Sequence, residues 1–208
     1  METAVHIARE LLRIEAVRLQ PDDPFTWASG IKSPIYTDNR VALAYPNVRD
    51  AVRDGLADVV RRYPEATAVV GVATAGIPHA ALVADALNLP MAYVRSSAKK
   101  HGRQNRIEGR LTDADSVVVI EDLVSTGGSS LEAVEALRAA GVEVLATVAI
   151  FTYGFAAAAE RFAKADCPLH TLSDYPTLVA EARRLNQVTE EQLTSLAAWR
   201  TEASAALS

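Results

Sequence analysis

The fold is decided by the stretch Val117–Ser130, which reads VVVIEDLVSTGGSS. Its first four residues form an apolar run without polar alternation, which is typical of a strand buried on both faces of a parallel sheet. Two adjacent carboxylates, Glu121 and Asp122, come next, and a segment of hydroxyl-bearing residues and glycines then leads into a predicted helix, Ser129–Ala140. Ligands of open parallel sheets bind beyond the carboxyl ends of the strands, so this junction is the first candidate site.

The same alternation of apolar strands and helices continues on both sides of this stretch. Further strands are predicted at Ala68–Val72, Met91–Val94 and Val142–Phe151, and further helices at about 3–16, Pro46–Arg62, Ile77–Leu87 and from Thr189 onward. Gly141 should end the helix before the last strand, because glycine readily adopts the left-handed conformation. Thr189 and Gln192 have the spacing of a capping box. The pattern predicts an α/β fold with a central parallel sheet flanked by helices.

The N-terminal part of the chain has a different character. A helix is followed, between residues 22 and 40, by prolines, a Ser29-Gly30 pair and the aromatic residues Phe25, Trp27 and Tyr36. This composition predicts turns and short extended pieces that pack on the main body without a core of their own. We therefore expect a small N-terminal appendage, or hood, over residues 1–40 and a single α/β domain over residues 41–208.

Composition and charge exclude several classes of protein. Of 208 residues, 50% are hydrophobic, which is enough for a packed core and argues against disorder. The single cysteine, Cys167, excludes a disulfide framework and a zinc site built on cysteine pairs. A net charge of −5 argues against a nucleic-acid partner. The longest apolar stretch, Val144–Ala159, has 16 uncharged residues and is too short to span a bilayer, so we expect a soluble, cytoplasmic protein without a membrane partner.

The junction after Ile120 has the chemistry of a ribose 5-phosphate site. Carboxylates accept hydrogen bonds from ribose hydroxyls or bind a divalent cation, and the free N–H groups at a helix N-terminus bind phosphate. The loop after Val72 contains only small residues, so its backbone amides can approach a pyrophosphate. Residues 95–110 carry six Lys or Arg against one acid and predict a polar excursion from the sheet.

These segments together resemble a known family. Val117–Ser129 is similar to the phosphoribosyl-pyrophosphate (PRPP) signature of the type I phosphoribosyltransferases. Ala73–Pro78 resembles the family's pyrophosphate loop, and Arg95 with Lys99–Gly102 resembles its lid. The segment Phe25–Pro34, with its Ser-Gly and Ser-Pro pairs, is similar to the orotate-specific branch of the family.

The resemblance implies Mg²⁺-dependent transfer of a phosphoribosyl group from PRPP to orotate, by a homodimer whose lid 95–110 is shared between active sites. It implies Lys99, Glu121 and Asp122 as catalytic residues. The residues implied for PRPP are Thr74, Ala75, Gly76, Arg95, Lys99, Lys100, His101, Glu121, Asp122, Leu123, Val124, Ser125, Thr126, Gly127, Gly128 and Ser129. Those implied or proposed for orotate are Ser125, Tyr36, Thr37 and Arg40. Mg²⁺ would be held mainly by PRPP, with oxygens from Glu121 and Asp122.

The chain departs from the family pattern at three positions where some members carry a cation, namely Ala28, Ser96 and Tyr153. Lys100 or Arg103 could replace the lid cation, and Arg40 or Lys32 could replace those near the base. Two alternatives stay open. One is a phosphoribosyltransferase for another nucleobase, and the other is a non-catalytic regulator that senses PRPP.

Overall fold

The N-terminal segment folds into a helix and two small antiparallel ribbons. The computed structural model describes residues 2–27, 30, 32–96 and 106–207. The first elements are α1 (Glu2–Arg13), β1 (Val17–Leu19), β2 (Phe25–Thr26), β3 (Lys32–Ser33), β4 (Ile35–Thr37) and a 3₁₀ helix (Asn39–Ala44). Strand β1 pairs with β4, and β2 pairs with β3. The predicted boundary at residue 40 falls inside the 3₁₀ helix, and buried side chains of α1 and β4 belong to the same apolar cluster as the main sheet.

The rest of the chain forms a sheet covered by helices. Its elements are α2 (Pro46–Val60), β5 (Ala68–Val72), α3 (Gly76–Leu87), β6 (Met91–Val94), β7 (Ile107–Glu108), β8 (Ser116–Val124), α4 (Gly128–Ala139), β9 (Glu143–Thr152), α5 (Ala156–Lys164), β10 (Leu169–Asp174), α6 (Tyr175–Arg184) and α7 (Glu190–Ala206). The six strands lie in the order β10-β9-β8-β5-β6-β7. All neighbours are parallel except β6 and β7, so the predicted parallel sheet is confirmed and carries one antiparallel edge strand.

The sheet is buried on both faces, which explains why its strands lack polar alternation. Val118 and Ile120 belong to one apolar cluster, and Val117 and Val119 belong to the other. Successive side chains of a strand point to opposite faces, so the two clusters lie on either side of the sheet. Helices cover both faces, as the predicted fold class requires.

Strand β8 is longer than the sequence predicts. It continues past Ile120 to Val124, because β9 continues beside it with Glu121 opposite Ala149 and Leu123 opposite Phe151. The expectation that the strand ends at Ile120, before Glu121 and Asp122, is therefore wrong, since both residues lie within β8. Sequence analysis also missed β10, whose polar residues interrupt its apolar pattern.

The predicted helix ends are close to those observed. Gly141 has a left-handed φ of 84° just after α4. Thr189 and Gln192 form both hydrogen bonds of the predicted capping box. Helix α1 ends at Arg13, earlier than expected, and Glu15 then takes a left-handed φ of 57°. In the described ranges, no helix is long and apolar enough to cross a membrane.

Candidate active site

The turn between β8 and α4 has the geometry of a phosphate-binding loop. Gly127 is left-handed, with φ of 82°, and helix α4 begins at the next residue. A Cβ atom on Gly127 would lie 2.8 Å from the ring of Phe162, so both its backbone angle and its surroundings require glycine. The first N–H groups of α4 have no partner within the helix and point toward the predicted Thr126–Ser129 cradle.

Two carboxylates stand immediately before this turn. Glu121 is 5% exposed, and its carboxylate accepts hydrogen bonds from the Ser130 hydroxyl at 3.1 Å and from the Asp122 backbone N–H at 3.0 Å. Burial, assisted by the adjacent negative charge of Asp122, raises the pKa of Glu121. Burial also raises the pKa of Asp122. A ligand that brings hydroxyl donors or a cation to this pair would stabilise its charged form.

The small-residue loop between β5 and α3 lies beside this pair. Strands β5 and β8 are neighbours in the sheet, with Gly71 opposite Ile120, so their following loops meet at one edge. A Cβ atom on Gly76 would lie 2.5 Å from the carbonyl oxygen of Ile120, so only glycine allows this approach. The Ala73–Thr74 peptide is cis. The structure thus brings the predicted pyrophosphate residues Thr74, Ala75 and Gly76 next to the carboxylates.

Arg95 lies at the start of the predicted lid, where β6 ends. Its side chain approaches Glu108 at 3.4 Å, and its carbonyl accepts a hydrogen bond of 2.8 Å from the Arg106 side chain. These contacts join β6 to the antiparallel strand β7 at the base of the lid. Lys99, Lys100 and His101 lie outside the described residues, so their assignments stay predictions, as does a compensating role for Arg103.

A cavity of about 230 Å³ lies at the same edge of the sheet. It is lined by Trp27, Tyr36, Thr37, Leu123, Ser125 and Tyr153. Three of the four residues predicted for orotate are therefore brought together, from the hood and from the loop after β8. The fourth, Arg40, is not among the lining residues, and its guanidinium is paired with the Asp38 carboxylate at 2.6 and 2.9 Å. Its proposed role in binding orotate stays a prediction.

Trp27, Leu123 and Tyr153 are the three lining residues that sequence analysis did not assign to the base, although Leu123 was assigned to PRPP. Packing of Trp27 onto the domain was expected, and its ring does lie 5.3 Å from that of Tyr153, but it also forms a wall of the cavity. Burial raises the pKa of Tyr153 to about 12, so its hydroxyl stays protonated at neutral pH. Ala28 is outside the described residues, and Lys32 donates a hydrogen bond of 2.8 Å to Thr26 within the hood. Among the lining residues that the structure describes there is no lysine or arginine.

Asn39 is a further site residue that no sequence motif indicated. Its side-chain N–H group donates to the carbonyl oxygen of Asp122 at 2.7 Å, and the residue is fully buried. Strand β5 ends at Val72, so β8 has no neighbouring strand on that side beyond Glu121, and Asn39 supplies the missing donor. The first residue of the 3₁₀ helix thereby links the hood to the carboxylate pair.

Comparison with known proteins agrees with this geometry. Residues 43–175 match the family model described as the phosphoribosyl transferase domain. The orotate phosphoribosyltransferase of Staphylococcus saprophyticus is 57% identical over 195 residues, covering 93% of this chain and 96% of that protein. The chain belongs to the orotate phosphoribosyltransferase family. The family members from Halalkalibacterium halodurans and Cytophaga hutchinsonii are 54% and 53% identical and match 93% and 96% of this chain.

Solved structures of other members of the family have the same fold as this chain. The orotate phosphoribosyltransferase of Aeropyrum pernix superposes with a TM-score of 0.75 at 29% identity, covering 88% of this chain and 99% of that one. The UMP synthase of Leishmania donovani superposes with a TM-score of 0.81 at 30% identity, covering 96% of this chain and 42% of that longer protein. The predicted type I phosphoribosyltransferase fold is confirmed.

Proposed function

We propose that this chain transfers the 5-phosphoribosyl group of PRPP to orotate, giving orotidine 5′-phosphate and pyrophosphate in pyrimidine biosynthesis. The observation that carries this proposal is that one segment, the end of β8 and the residue that follows it, serves both candidate subsites. Leu123 and Ser125 lie in the PRPP-signature segment and also line the cavity for the base. The ribose carbon that reacts would therefore face the ring nitrogen that attacks it.

The chemistry asks the protein mainly to position its substrates. The bond from the ribose carbon to pyrophosphate breaks as the bond to the base nitrogen forms, through an oxocarbenium-like transition state. The N-terminus of α4 would hold the 5-phosphate, and the loop Thr74–Gly76 would hold the pyrophosphate. Glu121 and Asp122 would accept hydrogen bonds from the ribose hydroxyls and fix the sugar. Lys99 would stabilise the charge that builds on the leaving pyrophosphate.

Magnesium dependence is part of the proposal. In the described ranges, no cluster of three or more His, Cys, Asp or Glu side chains could hold a metal alone. The neighbouring Glu121 and Asp122 nevertheless offer oxygen ligands, and Mg²⁺ commonly takes only one or two carboxylates from protein, the rest coming from water and phosphates. When bound, Mg²⁺ would neutralise charge on the pyrophosphate.

The cavity fits a planar base. Aromatic rings of Trp27 and Tyr153 form its walls, and the hydroxyls of Ser125 and Tyr153 provide the polar groups that would orient a pyrimidine.

We extend the proposal to a cytoplasmic homodimer in which the lid 95–110 acts across the two active sites. The support for both parts is the family to which the chain belongs.

The deciding experiment is the loss of orotate's ultraviolet absorbance on addition of PRPP and Mg²⁺. Uracil, hypoxanthine and adenine are run in parallel, and a chelator is added to a matched sample. We expect turnover with orotate alone, abolished by the chelator. Turnover with another base would overturn the orotate assignment and keep the PRPP site. Binding of PRPP with no turnover of any base would favour the regulator instead, and full activity in chelator would overturn the magnesium requirement.

A further inference from the structure

The cavity for the base has two walls that come from separate parts of the chain. Trp27, Tyr36 and Thr37 belong to the hood, whereas Leu123 lies near the end of β8, and Ser125 and Tyr153 directly follow β8 and β9. The hood's own pairings are short, because β2 and β3 have two residues each. Such ribbons are marginal by themselves, so the distance between the two walls must be set by something else.

Helix α7 contacts both walls through two consecutive residues. The Trp199 indole N–H donates to the carbonyl of Lys32 in the hood at 3.0 Å. The Arg200 guanidinium donates to the carbonyl of Tyr153 at 3.1 Å and to that of Gly154 at 2.9 Å. These two carbonyls follow the end of β9 at Thr152, where the strand ladder no longer provides partners.

Ring packing reinforces the same bridge. The Trp199 ring lies edge-on to Trp27, with centroids 5.8 Å apart, and edge-on to Tyr153, with centroids 6.4 Å apart. Edge-to-face pairs at such distances are favourable beyond the area they bury. Gly154 is left-handed, with φ of 66°, and a Cβ there would lie 2.9 Å from an Arg200 nitrogen, so the turn and the guanidinium fit closely. The Arg200 guanidinium also lies 6.0 Å from the Tyr175 ring centroid.

We propose that Trp199 and Arg200 are positioning residues for the base, which fix the spacing of the cavity walls without contacting either substrate. This inference rests on the proposed function. The α7 hydrogen bonds and ring contacts described above reach neither the phosphate cradle nor the carboxylate pair, which lie at the junction of β8 and α4 beside β5. Loss of the α7 contacts should therefore weaken orotate binding selectively and leave PRPP binding intact.

The test is steady-state kinetics on purified protein, with KM measured separately for orotate and PRPP. Trp199→Phe keeps an aromatic ring and removes the N–H donor, and Arg200→Lys keeps the charge and removes the two-pronged donor. Each should raise KM for orotate roughly 3- to 10-fold, as expected for the loss of one hydrogen bond, with KM for PRPP within about twofold of wild type. Arg200→Ala should raise KM for orotate further than Arg200→Lys does. Glu202→Gln, at an exposed position of the same helix, is the control and should change neither KM.

The outcomes separate this inference from the proposed function. If wild-type protein does not turn over orotate, the proposed function fails first. If wild type is active and the conservative variants raise both KM values together, or lower only the melting temperature with both KM values unchanged, the positioning role is overturned. The positioning role is supported if KM rises for orotate alone and rises less in Arg200→Lys than in Arg200→Ala.

Discussion

The PRPP half and the base half of the site are built in different ways. The PRPP half lies at the ends of adjacent parallel strands, and each part comes from a strand–loop–helix unit that is continuous in sequence. The base half is assembled from the hood, the strand exits and helix α7, which are far apart in sequence. The first is fixed by the sheet and by close backbone packing at Gly76, whereas the second depends on a few side-chain contacts between elements.

This difference predicts how each half responds to mutation. Changes in the PRPP half should act on the reaction itself, because the loops are held by backbone contacts that cannot adjust. Changes in the base half should act on affinity for one substrate, because its walls can shift by small amounts. Four measurements, ordered by the size of the expected effect, test whether the two halves respond to mutation in these different ways.

The largest effect is expected for the lid cation on the PRPP side. Lys99→Ala should lower kcat by roughly 10²–10³-fold, which is the usual cost of losing one preorganised group that stabilises developing charge. The measurement is the orotate absorbance assay at saturating substrates. Lys164→Ala, near the C-terminal end of α5, removes an exposed cation elsewhere and should retain wild-type kcat. Wild-type turnover by Lys99→Ala would remove this residue from the mechanism.

A smaller effect is expected where the two PRPP loops touch. Gly76→Ala places a methyl group 2.5 Å from the Ile120 carbonyl oxygen, so the pyrophosphate loop must move. We expect kcat/KM for PRPP to fall roughly 10- to 100-fold, because displacement of a binding loop by about 1 Å misaligns the reacting groups. Gly55→Ala in α2 is the matched control, since its Cβ would meet the flexible end of Leu172. Equal kinetics for the two variants would show that the loop can accommodate the added methyl group, and would contradict its expected rigidity.

His79 lies near the start of α3, the helix that follows the predicted pyrophosphate loop. His79 is 1% exposed, neither ring nitrogen has a hydrogen-bond partner among the described residues, and burial lowers its pKa to about 4. An unfolded chain would protonate this histidine near pH 6.5, so stability contributed by its neutral state falls as the pH drops below that value. Between pH 7.5 and pH 5 we expect about 2 kcal/mol of stability to be lost through this group.

Urea denaturation at both pH values measures this loss. His79→Leu should remove the part of the pH dependence that comes from His79, whereas His6→Leu, at an exposed position of α1, should not. The same pH dependence in wild type and in His79→Leu would show that the histidine is accommodated when charged. Such a result would mean that the core around α3 can adjust, against the expectation that the PRPP half is held rigidly.

The smallest effect is expected in the base half. Tyr153→Phe keeps the buried ring and removes the hydroxyl, which we expect to raise KM for orotate roughly 3- to 10-fold and leave KM for PRPP unchanged. Tyr63→Phe also removes a phenolic hydroxyl, which is hydrogen-bonded to His170 at 2.6 Å, and it serves as the control because neither residue lines the cavity. Equal rises in both KM values for Tyr153→Phe would merge the two halves into one unit.

The same contrast explains what could be predicted from the sequence. Strands β5, β6 and β9, helix α4, and the helix ends at Gly141 and Thr189 follow from local composition and spacing, and they were predicted close to their observed bounds. The extension of β8 through the two polar residues Glu121 and Asp122 was not predicted, because it depends on continued pairing with β9.

Contacts between distant residues could not be predicted from local pattern. Asn39 and Asp122 are 83 positions apart, and Trp199 and Lys32 are 167 apart, so only the folded chain brings them together. The walls of the base cavity include Trp27 and Tyr153 for the same reason. The resemblance to the family gave Ser125, Tyr36 and Thr37 their place near the base, but it could not indicate which elements hold them there.

The segment shared by the two proposed subsites, at the end of β8, has a thermodynamic consequence. Leu123 and Ser125 line the cavity proposed for the base, and the residues that follow belong to the cradle proposed for the 5-phosphate. A substrate that orders this segment changes the free energy with which the other substrate binds. Linkage makes that coupling reciprocal, so the factor by which PRPP alters the affinity for orotate equals the factor by which orotate alters the affinity for PRPP. Under the proposed function, one short segment of backbone would couple the two binding equilibria.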